Sequence, residues 1–154
     1  MSLDLRRSGE ALLATSGELL RIWRAARAEV RPGVFPGLAD GLVAAVLERA
    51  AQRLSAGGGD AADPYRGAVA LVRADPRVPA ISAEEIETEW RVLAAVLRAV
   101  CDALDVEEEP RAFLARVVEV ARADAEALAH GRGPAGVLVV GQLSGFEPPR
   151  KKRD

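Results

Sequence analysis

The sequence contains one cysteine, one histidine and one tyrosine, and aromatic residues are only 4% of its 154 positions. The single cysteine, Cys101, excludes a disulfide within the chain and a metal site built from cysteines. Its apolar neighbours predict a buried, inert thiol, because free cysteine commonly behaves as a small hydrophobe. With so few aromatic residues, the core is expected to consist of small and aliphatic side chains, which is typical of packed helices.

The net charge is small, and the apolar runs are short. The formal net charge is -2, so no global field recruits nucleic acid or an acidic membrane. The apolar run in GVLVVG at residues 136–141, like every other apolar run in the sequence, is far too short to cross a bilayer. The N-terminal residues MSLDLRRSGE lack the apolar core of a signal peptide. These features together predict one cytoplasmic domain.

Helical periodicity opens near Leu3 and continues to Val30. Residues 15–18 interrupt it, and Ser16 is a candidate cap for a second helix. The apolar residues expected on the buried side of that second helix are Leu19, Leu20 and Trp23. The sequence RPGVFPG at residues 31–37 then stops the helix, because it contains two prolines and two glycines.

Two helices are predicted in the middle of the chain, one from about Pro36 to Ser55 and a short one from about Pro64 to Arg73. Glycine-rich residues 56–60 separate them. Asp63 is a candidate cap, followed by proline at the first helical position. The apolar stripe of the longer helix is Leu38, Leu42, Val46 or Val43, Leu47, Ala50 and Leu54. The short helix carries Tyr65, Val69 and Val72.

The strongest pattern occupies residues 81–104. Ser82 and Glu85 have the spacing of a capping box, and Ile81 and Ile86 stand at the two positions of a hydrophobic staple. The apolar stripe behind this start is Ile86, Trp90, Leu93, Val96 or Leu97, Val100 and Leu104. Steps of three and four place these side chains on one face of a helix about six turns long. A core-forming central helix is therefore predicted.

Asp105 is predicted to cap a last helix that continues to about His130. Three glutamates at residues 107–109 suit the positive end of its dipole. The sequence thus predicts an all-α fold of five or six helices in residues 1–132, with an antiparallel helical bundle as one arrangement. Residues 133–154 are expected to form an extended or flexible tail. Their four consecutive apolar residues at 137–140 rarely stay in water, so the alternative is that this run packs on the helices.

Few residues are candidates for catalysis or for binding a metal or cofactor. His130 lies at the predicted end of the last helix, where an imidazolium suits the dipole; a general base or a haem ligand is the alternative. Glu85 and Glu89 could share a metal, but the Glu-x-x-His motifs of di-iron bundles are missing. A solvated helix face with pairs such as Glu87–Arg91 is the simpler interpretation. We therefore expect no catalytic, cofactor-binding or metal-binding residue, and no cofactor.

The only basic cluster is RKKR at residues 150–153. It could contact phosphates with a weak, salt-dependent affinity, or it could be a solubilising end. The second interpretation is favoured because no basic helix accompanies the cluster. Trp23 and Trp90 each lie in an apolar stripe, so both are expected in the core, where each indole N–H needs a partner.

Four segments in this order resemble a known family: GELLRIWRAARAEV, FPGLADGLVAAVLERA, ETEWRVLAAVLRAV and VEVARADAEALAH. They are similar to the N-terminal domain of RsbR/RsbRD-type stress regulators and related bacterial sensor kinases. The matching residues are Trp23, Glu89, Trp90, Arg91, Leu93 and Ala123 to Ala129. The resemblance covers about residues 16–130. It implies a globin-like fold without haem, dimerisation and no catalytic residues. Since no sulfate-transporter-and-antisigma or kinase domain follows, the output is expected from a separate protein.

The expected function is a non-enzymatic signalling or sensory module that dimerises and contacts a partner protein. The alternative is a helical-bundle adaptor or assembly factor that uses its basic tail. An enzyme is least expected, because no acid, base and nucleophile converge in the sequence. The homodimer interface is expected on the first and last helices, since the N-terminal leucines exceed the core available to them. Those leucines are Leu3, Leu5, Leu12 and Leu13, and the alternative interface surrounds Phe113 and Val117.

Overall fold

The computed structural model describes residues 3–30, 40–70 and 83–129, and in these ranges the chain forms six helices without a strand. The helices are α1 Leu5–Ala14, α2 Ser16–Val30, α3 Asp40–Ser55, α4 Asp63–Val69, α5 Ala83–Leu104 and α6 Glu108–Ala129. The predicted all-α fold with helix-on-helix packing is confirmed. In the part of the chain described, no helix is long and apolar enough to cross a membrane.

One apolar core joins the six helices, and the predicted stripes supply it. In α3, Leu42, Val43, Val46 and Leu54 are at most 1% exposed. In α5, Trp90 and Leu93 are fully buried, while Val100 and Leu104 pack at the edge of the core. The proposed cap Ser82 and the staple residues Ile81 and Ile86 lie outside the residues whose side chains are described, as does Leu38.

Helix α1 packs closely against α3 of the same chain. A Cβ atom on Gly9 would lie 2.4 Å from the carbonyl oxygen of Ala51, so only glycine permits this approach. Leu12 is 5% exposed, and Leu3 and Leu5 pack against the core. The expectation that these leucines exceed the core of one chain is therefore wrong for Leu3, Leu5 and Leu12, which pack in or against the core of their own chain. Leu13 alone remains exposed, at 37%.

The junction between α1 and α2 differs from its prediction. The amide of Leu19 donates to the carbonyl of Thr15, 2.9 Å away, so α2 already begins at Ser16. The Ser16 hydroxyl donates to the carbonyl of Leu13, 3.1 Å away, instead of accepting from the next turn. Ser16 is thus the first residue of α2 and not its cap. Asp4 caps α1, because its carboxylate accepts from the amide of Arg7 at 2.9 Å.

Two aspartates predicted as caps have other roles. Asp63 is the first residue of α4 and pairs with Arg53, Nη2 to Oδ2 at 3.0 Å. Asp105 has a φ of 55° and closes α5, where the amide of Val106 donates to the carbonyl of Cys101 at 3.0 Å. Helix α6 starts only at Glu108, so Asp105 is not its cap. A short polar side chain tolerates this left-handed backbone, which is why aspartate ends a helix here as readily as it would begin one.

The N-terminal segment is tied to this turn. The amide of Leu3 donates to the carbonyl of Asp105, and the amide of Glu107 donates to the carbonyl of Leu3, both at 2.9 Å. The two hydrogen bonds form a parallel bridge between Leu3 and Val106. Leu3, at the N-terminal end of the described chain, thus fixes the geometry of the turn between α5 and α6.

Candidate functional site

A groove with a volume of about 320 Å³ lies between α5 and α6, the two longest of the described helices. We call it the α5–α6 groove. Its lining residues are Ala94, Leu97, Arg98 and Cys101 from α5, and Glu108, Arg111, Ala112, Leu114, Ala115 and Val118 from α6. Steps of three and four along each helix place these side chains on facing sides. Small residues at 94, 112 and 115 leave the space between the helices open.

The α5–α6 groove has an apolar floor and a charged rim. Leu97, Cys101, Leu114 and Val118 are between 3% and 7% exposed and form the floor. The exposed lining residues are Arg98, Glu108 and Ala115. A concave apolar surface with a few polar groups at its edge is typical of sites that bind a ligand or a partner's side chains.

The turn at the end of the groove is acidic. Five carboxylates lie between positions 102 and 109, namely Asp102, Asp105, Glu107, Glu108 and Glu109, and all five residues are exposed. Within the described ranges, the three glutamates form no ion pair, and neither does Arg98. The charges of these three glutamates and of Arg98 are thus left unpaired by the described helices, whereas Asp102 pairs with Arg111.

Arg111 holds this end of the groove in place. Its Nε donates to the carbonyl of Val106 at 2.8 Å, its Nη2 to the carbonyl of Cys101 at 3.2 Å, and its Nη1 to the carboxylate of Asp102. A cation at the C-terminus of α5 satisfies helix carbonyls and suits the helix dipole. The hydrogen bond to Asp102 raises the pKa of Arg111. Arg111 therefore fixes the shape of the groove and is not available to a ligand.

The only cysteine of the chain lies on the groove floor. Cys101 is 3% exposed, which confirms its predicted burial. Burial raises the pKa of the Cys101 thiol, and nearby Arg111 opposes this only in part. The neutral thiol therefore predominates near pH 7, which disfavours nucleophilic reactivity.

A second polar cluster is buried beneath α2 and was not foreseen. Glu89 is 1% exposed, and its Oε1 lies 3.9 Å from Nη1 of Arg27. The Arg27 guanidinium also stacks over the ring of Trp23, 4.2 Å from the centroid. The interpretation of Glu89 as part of a solvated face is thus wrong, although Arg91 and Glu87 do pair at 2.7 Å on that face. Buried charges of this kind require partners, and here the partner comes from α2.

Both tryptophans are fully buried, as predicted from their stripes. Tyr65 meets Trp90 edge-on, with ring centroids 5.7 Å apart. Neither indole N–H nor the Tyr65 hydroxyl donates a hydrogen bond to any described residue. The expected partners of the two indoles are therefore not found in these parts of the chain. In the same ranges, no group of three or more acidic, histidine or cysteine residues is placed to hold a metal ion.

Tyr65 provides a test of this packing. Burial is the main cause that raises the pKa of its phenol, and the charge of Asp124 adds to the effect. A raised folded-state pKa means that stability is complete below the unfolded value of about 10 and falls as pH rises above it. Since the chain has one tyrosine, phenolate absorbance reports Tyr65 alone. We expect it to appear only together with loss of the helical circular dichroism signal. Titration of the folded protein near pH 10 would contradict the burial of Tyr65.

Several residues considered in the sequence lie outside the described ranges: His130, the apolar run at 137–140 and the basic cluster at 150–153. Of the residues that carry the family resemblance, Trp23, Glu89 and Trp90 are buried, and the first two contact Arg27. Arg91 instead points to the surface and pairs with Glu87.

In comparisons with family models, curated proteins and solved structures, the chain has no significant match.

Proposed function

We propose that the chain is a cytoplasmic, non-enzymatic module of bacterial signalling that acts by dimerisation and by contact with a partner protein. The α5–α6 groove is the observation that carries this proposal. Its apolar floor and unpaired rim charges suit recognition of an amphipathic helix, which inserts side chains at positions i, i+3 or i+4, and i+7. The groove extends from Glu108 to Val118 along α6, or about 15 Å at 1.5 Å per residue. That length accommodates about three turns of a partner helix.

The signalling role rests on the resemblance to RsbR-type regulatory domains. What supports it is that Trp23 and Glu89, two of the residues that carry the resemblance, both contact Arg27, and that a third, Trp90, is fully buried in the same core. A globin-like arrangement without haem is part of the same proposal. In such a module the core would hold the helices in register, and the surface would carry the signal to a separate protein.

Dimerisation is supported by exposed apolar side chains on the first two helices. The exposed large hydrophobic residues in the described ranges are Leu13, Ile22 and Val30, at 37%, 36% and 53%. Ile22 and Val30 lie about 12 Å apart along α2 and within about a quarter turn of each other. A second copy related by a two-fold axis would cover both. The alternative interface around Phe113 and Val117 is wrong, because each is 2% exposed inside its own chain.

Filling the groove tests the partner contact. Ala115 is exposed on the groove rim, so Ala115→Trp should block the groove and leave the core unchanged. Ala123→Trp is the matched control, because Ala123 is exposed on the same helix outside the groove lining. With immobilised chain and a cell extract of the source bacterium, a partner should be retained by the unmodified protein and by Ala123→Trp. Retention by Ala115→Trp should fall at least tenfold, a loss of about 1.4 kcal/mol in binding. Equal retention by both variants would reject the groove as the contact site.

A further inference from the structure

The α5–α6 groove ends at a turn of high negative charge, residues 102–109, which we call the acidic turn. We propose that the partner segment is an amphipathic helix with lysine or arginine residues in its last turn, and that these cations lie at the acidic turn. This inference deepens the proposed function, on which it rests for the role of the groove. It names the chemistry by which the groove would select its partner.

The acidic turn holds charge that the chain itself does not balance locally. It contains five carboxylates and no cation, whereas the formal net charge of the whole chain is only -2. The next cation in the sequence, Arg111, already donates to the Asp102 carboxylate and to two carbonyl oxygens. Glu107, Glu108 and Glu109 form no ion pair within the described ranges. A negative potential therefore remains at this end of the groove, where it attracts a partner's cations.

The local roles of these glutamates account for only part of their charge. The N-terminus of α6, where Glu108 and Glu109 lie, is equivalent to about +0.5 elementary charge, which offsets a fraction of the charge of three carboxylates. In the described parts of the chain, no group of three or more acidic, histidine or cysteine residues is placed to hold a metal ion. The excess negative charge is therefore free to interact with cations of a partner.

The apolar floor of the groove repeats at the spacing of a helix. Leu97 and Cys101 lie one turn apart on α5, and Leu114 and Val118 lie one turn apart on α6. Side chains at positions i, i+4 and i+7 of a third helix have the same repeat, so they can pack between these residues. The volume of about 320 Å³ is at the lower end for binding pockets. The groove therefore receives side chains from one face of a helix and leaves its polar face in water.

Charge also favours one direction of the partner helix. Cations stabilise a helix when they lie in its last turn, because they offset the negative end of the dipole. A partner whose last turn lies at the acidic turn runs antiparallel to α6. Arg98 is exposed on the rim, forms no ion pair within the described ranges, and lies about 9 Å before the end of α5 at Leu104. A carboxylate about six residues before the partner's cations would therefore lie near Arg98.

Two fluorescently labelled peptides of about 14 residues, long enough to span the groove and the acidic turn, test the inference on the full chain. Both are alanine-rich helices with leucines at positions i, i+4 and i+7, and their last turn carries either lysines or glutamines. Fluorescence anisotropy gives the Kd of each peptide. At low ionic strength we expect the lysine peptide to bind about tenfold more tightly. Near 1 M salt the two Kd values should converge, because exposed charges are then screened. Equal affinities at low ionic strength, or no binding of the lysine peptide, would overturn the inference.

Charge variants of the chain locate the contact of the lysines. Glu108→Gln combined with Glu109→Gln should reduce the preference for the lysine peptide several-fold, because two of the facing charges are removed. Glu29→Gln combined with Glu48→Gln removes the same charge from two exposed positions on other helices, neither of which forms an ion pair within the described ranges. This control should keep the preference of the unmodified protein. An equal preference in both double variants would exclude the acidic turn as the contact.

The two tryptophan variants locate the contact of the leucines. Ala115→Trp fills the groove and should weaken binding of both peptides at least tenfold, whereas Ala123→Trp should leave both Kd values unchanged. If the lysine peptide bound Ala115→Trp as tightly as the unmodified protein, the groove would not be its site and the inference would be wrong.

The chemistry of the partner and the proposed function can fail separately. A partner retained through the groove, whose retention is the same with Glu108→Gln and Glu109→Gln as without them, would reject the inference alone. A lysine peptide that binds as expected, without any partner retained from the cell extract, would reject the proposed function and keep the preference of the groove for a basic helix.

Discussion

Replacement of Leu93 by alanine is expected to lower the free energy of unfolding by about 2–5 kcal/mol, the usual range for a buried large-to-small change. Leu93 is fully buried in the middle of α5, one turn from Trp90. Removing its isobutyl group loses apolar burial and leaves a cavity that rigid neighbours such as Trp90 cannot fill. Urea unfolding followed by circular dichroism measures the change.

Leu13→Ala is the matched control for this experiment. The chemical change is the same, but Leu13 is 37% exposed at the end of α1. Its replacement should cost well under half as much as that of Leu93, since less apolar surface leaves the core. Similar unfolding curves for Leu93→Ala and the parent protein would show that this face of α5 is not buried.

Gly9→Ala is expected to destabilise the protein by about 1–3 kcal/mol, as overpacking commonly does. The added methyl group would lie 2.4 Å from the Ala51 carbonyl oxygen and 2.6 Å from the Ser55 amide nitrogen. Both atoms belong to the backbone of α3, so the two helices would have to separate. This loss outweighs the gain in helix propensity, which is up to about 1 kcal/mol for alanine over glycine.

Gly17→Ala is the matched control, and we expect it not to destabilise the protein. Gly17 is exposed in the first turn of α2, and a Cβ atom there would meet nothing within 4 Å. The same substitution should therefore leave the thermal midpoint unchanged or raise it slightly. If Gly9→Ala also raised the midpoint, the close contact between α1 and α3 would not exist in solution.

The helices could be predicted from the sequence because each one has apolar residues that recur at helical spacing within its own segment. Steps of three and four in α3 and α5 identified buried residues such as Leu54 and Leu93 without knowledge of any neighbour. The close contact at Gly9 could not be read in this way, since it depends on Ala51 in another helix. The same holds for Glu89, whose local pattern of glutamates suggests solvent and whose burial depends on Arg27.

Helix boundaries were less predictable than helix faces. Asp105 follows Leu104 in a sequence that fits the start of a helix, yet its left-handed backbone ends one. Aspartate suits both positions, and only the geometry of the turn decides between them. The α5–α6 groove also could not be predicted from any single segment of the sequence. Ala94 and Ala115 open it only because two separate helices place them opposite one another.

Light scattering on the full chain at micromolar concentration tests most directly whether the protein functions as a dimerising interaction module. The expected mass is twice the 16.3 kDa of one chain. Ile22→Glu should return the mass to that of one chain, because a charge would be buried between the α2 helices without a partner. Ala95→Glu, a similar change at an exposed position of α5, should leave the dimer intact. A single-chain mass for the unmodified protein would contradict the proposal.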